Sequence, residues 1–163
     1  MSLELPHTRG CVVCGHDNPQ GIHLQLKVDE STGLVTAAFT PAQNHMGFQG
    51  IVHGGLLSTV LDEAMVWAAT WAGKRFCVCG EMNVRFRHSV IIGQPVRVEA
   101  RIASARSRLI ETEGFLRDAA GKVLVESTGK YVPVSAERNR DVIATFVAEP
   151  ATDPARQRLT DAC

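Results

Sequence analysis

Two adjacent carboxylates, Asp62 and Glu63, stand in the middle of the most apolar stretch of this chain. Around them Leu56, Leu57, Val60, Leu61, Ala64, Met65, Ala68 and Ala69 recur at helical spacing, and Val66, Trp67 and Trp71 widen the apolar surface beyond one stripe. A helix of that kind over Leu56 to Ala72 is buried on most sides. Carboxylates in such a place are rare unless paired or used. Successive helical residues point about 100° apart, so the two acids face different surroundings: Asp62 shares a side with Ser58 and Gly55, Glu63 with Thr59. Just before the helix comes His53-Gly54-Gly55. Free N–H groups and the positive dipole end make a helix N-terminus an oxyanion-stabilising device, and glycines let a ligand carbonyl approach the backbone. The plainer alternative is a tight turn into a helix whose acids reach solvent or bond neighbouring hydroxyls.

Spacing narrows the choice. Gly54 and Asp62 are eight residues apart, about 12 Å of helix rise, too far for one carbonyl to meet both. Two antiparallel copies of the helix would set the amide of one subunit opposite the carboxylate of the other. If the groups cooperate, a homodimer with shared sites is the natural solution.

The surrounding elements must position that helix. Cys11-Val-Val-Cys14-Gly15 and Asn18-Pro19-Gln20-Gly21 mark residues 1–21 as a looped N-terminal segment. Leu24, Leu26 and Val28 alternate with polar residues as a half-buried strand does, and Ser31-Thr32-Gly33 turns it into Leu34 to Thr40. After the helix, strands are expected over Cys77 to Val90 with a bend at Gly80, around Val96 to Ile102, and over Arg108 to Arg117 and Val123 to Val132. Residues 135–163 read as a C-terminal extension or tail. The order of two strands, one long helix and several strands predicts an α+β fold with a mostly antiparallel sheet wrapped on one helix.

The 163 residues carry 17 Lys and Arg against 17 Asp and Glu, which argues against nucleic acid or an anionic membrane as partner. No apolar run approaches the ~20 residues that span a bilayer. Residues 1–10 lack the apolar core of a secretory signal, and five cysteines then read as reduced thiols in a cytoplasmic protein.

The run Gly50-Ile-Val-His-Gly-Gly-Leu-Leu-Ser-Thr-Val-Leu-Asp-Glu-Ala-Met65, with Glu81-Met-Asn-Val-Arg-Phe86 and Gly93-Gln-Pro95, resembles the PaaI-like hotdog-fold acyl-CoA thioesterases. The resemblance covers roughly residues 11–134 and places a hotdog domain at 22–134. It implies a sheet curled around a central helix, dimers with paired sites, and often tetramers built from dimers. The family's acid falls nine residues after the His, here Asp62, where it activates water or attacks the thioester carbon. Gly54 would polarise the thioester carbonyl, with His53 and Gly55 shaping the turn; Glu63 is a second candidate acid.

Two departures stand out. Many relatives carry Asn or Gln six residues before the His, where this chain has Gly47; Asn44, His45 and Gln49 are the candidate substitutes. Some place Ser or Thr where this chain has Cys79, a weaker hydrogen-bonding group. Arg106 and Arg108 are candidates for the phosphates of coenzyme A. Cys11 and Cys14 have the spacing of a zinc half-site, with His7, His16, Cys77 and Cys79 as available company, but plain buried thiols in a Gly turn are the expectation. The expected activity is hydrolysis of an acyl- or aroyl-CoA thioester without metal or other cofactor. The alternatives are a non-catalytic acyl-CoA-binding or regulatory hotdog protein, and hydratase chemistry that would recruit His53.

Overall fold

The computed structural model describes residues 1–160. Seven strands form one antiparallel sheet: β1 (Ser2–Glu4), β2 (Lys27–Asp29), β3 (Val35–Phe39), β4 (Cys77–Phe86), β5 (Val96–Arg106), β6 (Leu109–Arg117) and β7 (Val123–Pro133), in the order β1-β2-β3-β5-β6-β7-β4. Packed on it is α1 (Gly54–Gly73), a 20-residue helix some 30 Å long. This is the α+β hotdog arrangement. Period-2 alternation selects the inner face: Val96, Val98 and Ala100 on β5, Ile110 and Leu116 on β6, and Val125, Ser127 and Tyr131 on β7 are buried, while their neighbours Arg97, Arg101 and Thr128 stay out. The helix answers with Val60, Leu61, Ala64, Met65 and Ala68, all sealed from solvent.

Helix and sheet meet most closely at Met65. A Cβ on Gly129 would lie 2.7 Å from the Tyr131 ring and 2.9 Å from the Met65 Cε, so this strand position must be empty for both side chains to lie flat between the layers. Gly129→Ala is therefore expected to destabilise the fold by about 1–3 kcal/mol, read as a lower urea midpoint at unchanged slope.

Local signals behave much as read. The β2–β3 turn is closed by Asp29, whose carboxylate accepts the N–H groups of Ser31 and Thr32. The expected bend at Gly80 is a bulge between Cys79 and Glu81. Helix α1 starts two residues earlier than expected, at Gly54, and ends on Lys74, which itself takes the left-handed conformation (φ 53°).

Two expectations need correcting, and a third is decided between its alternatives. The strand read from Leu24 shrinks to Lys27–Asp29: Leu24 and Leu26 are buried, but their partners are the loop residues Val13 and Leu5 rather than a ladder. The N-terminal segment is not all loop, since Ser2–Glu4 pairs with β2. Of the two readings left open for residues 135–163, extension or tail, the structure takes the extension. It forms α2 (Ala136–Ala144) and α3 (Asp153–Thr160), and it packs on the face of α1 turned away from the sheet. Phe146 stacks at 5.7 Å on Trp67, and the Arg158 guanidinium sits 4.1 Å over the Trp71 ring. The wide apolar girth of α1 explains this: the sheet covers one side, and Trp67 and Trp71 need a second cover.

β4 is an edge strand ten residues long. Its backbone has one unpaired side, and Val78 and Phe86 are exposed on it; Phe48, in the loop before α1, and Ile91, in the loop after β4, are exposed too. No described helix is long and apolar enough to cross a membrane.

Candidate active site

The start of α1 is built by a tight loop. Gly47 and Ile51 close on each other, the Gly47 N–H donating to Ile51 O at 2.8 Å, and the His53 N–H donates to His45 O at 2.9 Å. His53 is the N-cap: its Nδ1 accepts the Gly55 N–H at 3.0 Å, and its carbonyl accepts from Leu56 and Leu57. Ser58 and Thr59 hydroxyls back-bond to the carbonyls of Gly54 and Gly55. Each first-turn donor is thus engaged except the Gly54 N–H, which has no partner among the described residues. Opposite Gly54 stands the ring of Phe86, 3.3 Å from where a Cβ would be. One aimed N–H beside an exposed aromatic ring is a polarising group next to an apolar wall.

Gly47 belongs to the same corner. A side chain there would bring its Cβ within 2.9 Å of the His53 Cα, so the corner is closed to the Asn or Gln that the resemblance led one to look for. Asn44 and Gln49 are exposed. His45 is buried, its Nδ1 accepting the Ala42 N–H at 3.0 Å and its ring against Phe39. Burial holds the His45 pKa below its ordinary value. A folded-state pKa below the unfolded one favours the neutral ring, so its contribution is complete above about 6.5 and is lost as pH falls below that. Stability in urea should therefore drop between about pH 7.5 and pH 5.5, and His45→Asn should flatten part of that slope.

Asp62 sits eight residues along the helix, half-buried, where β7 and β4 lie side by side. The Tyr131 hydroxyl donates to its Oδ1 at 2.8 Å. Burial first, then the Asp62 charge, push the Tyr131 pKa far up, so the phenol stays a donor at any working pH. The Cys79 thiol lies against the same pair and is held protonated, chiefly by burial and then by Asp62. The carboxylate is thereby oriented by one strong donor and keeps its second oxygen for other work.

Glu63 looks elsewhere. Its Oε1 accepts the Trp67 indole N–H at 3.2 Å, and its carboxylate lies among Cys11 and Cys14. Burial pushes its pKa up. The two acids share a helix and nothing else. Arg106 and Arg108 are exposed at the β5–β6 hairpin. That hairpin adjoins the far end of α1, where Ile110 packs against Gly73, so within one chain these arginines are a helix length away from Gly54.

Tyr131 was not among the candidates. It is the chain's one tyrosine, at an inward strand position two residues after Gly129, and that pairing of a vacant position with an aromatic was the available signal. Two cavities of about 410 and 420 Å³ open on this chain, but their linings include neither Asp62 nor Gly54.

Comparison with known proteins gives a class. Residues 49–125 match the family model described as thioesterase superfamily, a segment that holds α1, its N-terminal turn, β4, β5 and β6. No curated protein matches the chain. A crystal structure described as a thioesterase superfamily protein is 27% identical, with a TM-score of 0.70, over 76% of this chain and 60% of the other; the match thus spans three-fifths of that protein's length. The Escherichia coli PaaI protein from the phenylacetic acid degradation operon is 16% identical over 64% of this chain and 75% of its own, with a TM-score of 0.60. A Streptococcus mutans protein bound to acetyl CoA is 13% identical over 69% and 89%, with a TM-score of 0.63. Residues 49–125 thus carry a thioesterase-superfamily match, on a hotdog fold. More narrowly, the chain is similar to the PaaI-like hotdog thioesterases.

Proposed function

We propose that this protein hydrolyses an acyl- or aroyl-CoA thioester to the free acid and coenzyme A. The observation that carries the reading is the complementary pair on α1: a partnerless Gly54 N–H at its start, and an Asp62 carboxylate oriented by Tyr131 further along. The amide binds the thioester oxygen as it takes on negative charge, and the carboxylate activates water or attacks the carbonyl carbon. On the water route the proton that Asp62 takes passes to the departing CoA sulfur; on the attack route the CoA thiolate leaves and takes a proton from solvent, and water then cleaves the acyl–Asp62 anhydride to release the acid. His53 holds the turn through its Gly55 bond, leaving the Gly54 N–H to the substrate.

Those two groups cannot serve one carbonyl within one chain, so the functional unit is a homodimer with α1 antiparallel to its copy. The open edge of β4, with Val78 and Phe86 exposed, supports that arrangement, because an unpaired apolar edge invites pairing. Antiparallel helices would also carry Arg106 and Arg108 of one subunit to the helix start of the other, within reach of the coenzyme's phosphates. The S. mutans protein of the same fold is bound to acetyl CoA, which agrees with a CoA thioester as the ligand class.

The test is turnover of a panel of short-chain, long-chain and aryl CoA thioesters. A second reading, acyl-CoA binding without hydrolysis, has one observation in its favour: the Gly47 corner holds no side-chain amide to help orient a water. Tight binding across the panel with no released CoA would replace the first reading with the second.

A further inference from the structure

Three potential metal ligands converge away from Asp62. The Sγ atoms of Cys11 and Cys14 and a carboxylate oxygen of Glu63 all lie within 4.8 Å of one another. Cys14 is buried, while Cys11 and Glu63 are half-buried, so the cluster is sheltered but has a route to solvent. The Cys11 sulfur accepts two backbone N–H groups, from Val13 at 3.3 Å and Cys14 at 3.4 Å, which fix its position in the turn. Gly15 closes the turn: its N–H donates to Cys11 O at 3.0 Å, and a Cβ there would come within 2.6 Å of the Cys11 backbone and 2.5 Å of Arg9 O. The turn is therefore built so that both sulfurs face the same point on α1.

The geometry points to a zinc site formed by Cys11, Cys14 and Glu63, which staples the N-terminal segment to α1. Two soft thiolates and a carboxylate form a donor set that zinc accepts. Zn–S bonds of about 2.3 Å and Zn–O bonds of about 2.0–2.2 Å place tetrahedral ligands about 3.4–3.8 Å apart, which small side-chain rotations reach from the present spacing. Three protein ligands leave a fourth tetrahedral position for water, on the side where Cys11 and Glu63 are only half-buried. On binding, each thiol releases its proton to solvent and both sulfurs and the carboxylate donate to Zn²⁺, with no change in oxidation state. Glu63 is the ligand that sequence spacing could not bring to the cysteines. The ion would fix the segment around Cys11–Gly15 against the helix one residue from Asp62, a role independent of the hydrolase reading.

The test measures metal rather than turnover. Full-length protein purified without added metal, under reducing conditions, should contain about one zinc per chain, and Glu63→Gln and Cys11→Ser/Cys14→Ser should lower that content about tenfold or more. Cobalt substitution of the wild type should give the near-ultraviolet band of thiolate-to-metal charge transfer and visible bands of tetrahedral intensity. This arm needs no variant to fold. Metal-free protein whose cobalt titration gives no thiolate band overturns the site. So does zinc held by the neighbouring His7, His16 and Glu149 group, which would bind cobalt without that band, and so does a mass two hydrogens short that marks a Cys11–Cys14 disulfide.

Discussion

Asp62→Asn should lower kcat for thioester hydrolysis by about 10²–10⁴-fold and change KM little. Asparagine has the same shape and can still accept the Tyr131 hydroxyl through its carbonyl oxygen, so the helix and its packing are kept. What is lost is a group able to take a proton from water or to attack the carbonyl carbon. On the proposed reading the substrate is gripped by the Gly54 amide and by Arg106 and Arg108, so binding survives while the chemical step fails. Tyr131→Phe should fall between the two proteins, since it leaves the carboxylate but removes its one strong donor. A wild-type rate in Asp62→Asn, measured as CoA thiol released, would take Asp62 out of the mechanism.

The second large effect tests whether the site is shared. Gly54 is the first residue of α1 after the His53 cap, the one helical position where proline is well tolerated. His53, at φ −62° and ψ 129°, already has the extended conformation required before proline. Gly54→Pro thus deletes the proposed donor N–H and keeps the helix, at the cost of shifting the exposed Phe86 ring. A loss of about 10²–10³-fold in kcat is expected, as for removal of one oxyanion-hole donor. Mixing Gly54→Pro with Asp62→Asn under conditions that exchange subunits then decides the geometry. In a mixed dimer one site would carry both defects and the other neither, so random exchange should restore about a quarter of wild-type activity. Sites contained within one chain would show no recovery at all.

The helix and most of the sheet could be read from local pattern. Leu56 to Ala72 has the 3.6-residue period over five turns, and Val96 to Ile102 has the period of two, because each element's burial is a property of its own residues. What escaped depends on contacts made across the chain. Tyr131 meets Asp62 over a separation of 69 residues, and nothing near either residue announces the other. Glu63 meets Cys11 and Cys14 in the same long-range way. The helices α2 and α3 were invisible for another reason: Glu137-Arg-Asn-Arg-Asp141 and Asp153-Pro-Ala-Arg-Gln-Arg158 are too polar to show an apolar stripe, and they are held by a few anchors, Phe146, Ala155 and Leu159. The closed corner at Gly47 was noticed as a missing side chain. Its cause, the His53 backbone lying 2.9 Å from any Cβ, is a matter of packing alone.

The cover over Trp67 and Trp71 has a consequence for the order of events during synthesis. Phe146 and Arg158, which shield these rings, leave the ribosome some eighty residues after them. The bridge between Thr8 and Phe146, and the bond from the Val147 N–H to His7 O, must wait equally long. Until then the nascent helix can bury its sheet-facing side but not the other, and it presents two indoles to solvent or to a chaperone. Folding of this domain is thus completed by residues 146–158, whose arrival clasps residues 7–8 and closes the helix from behind.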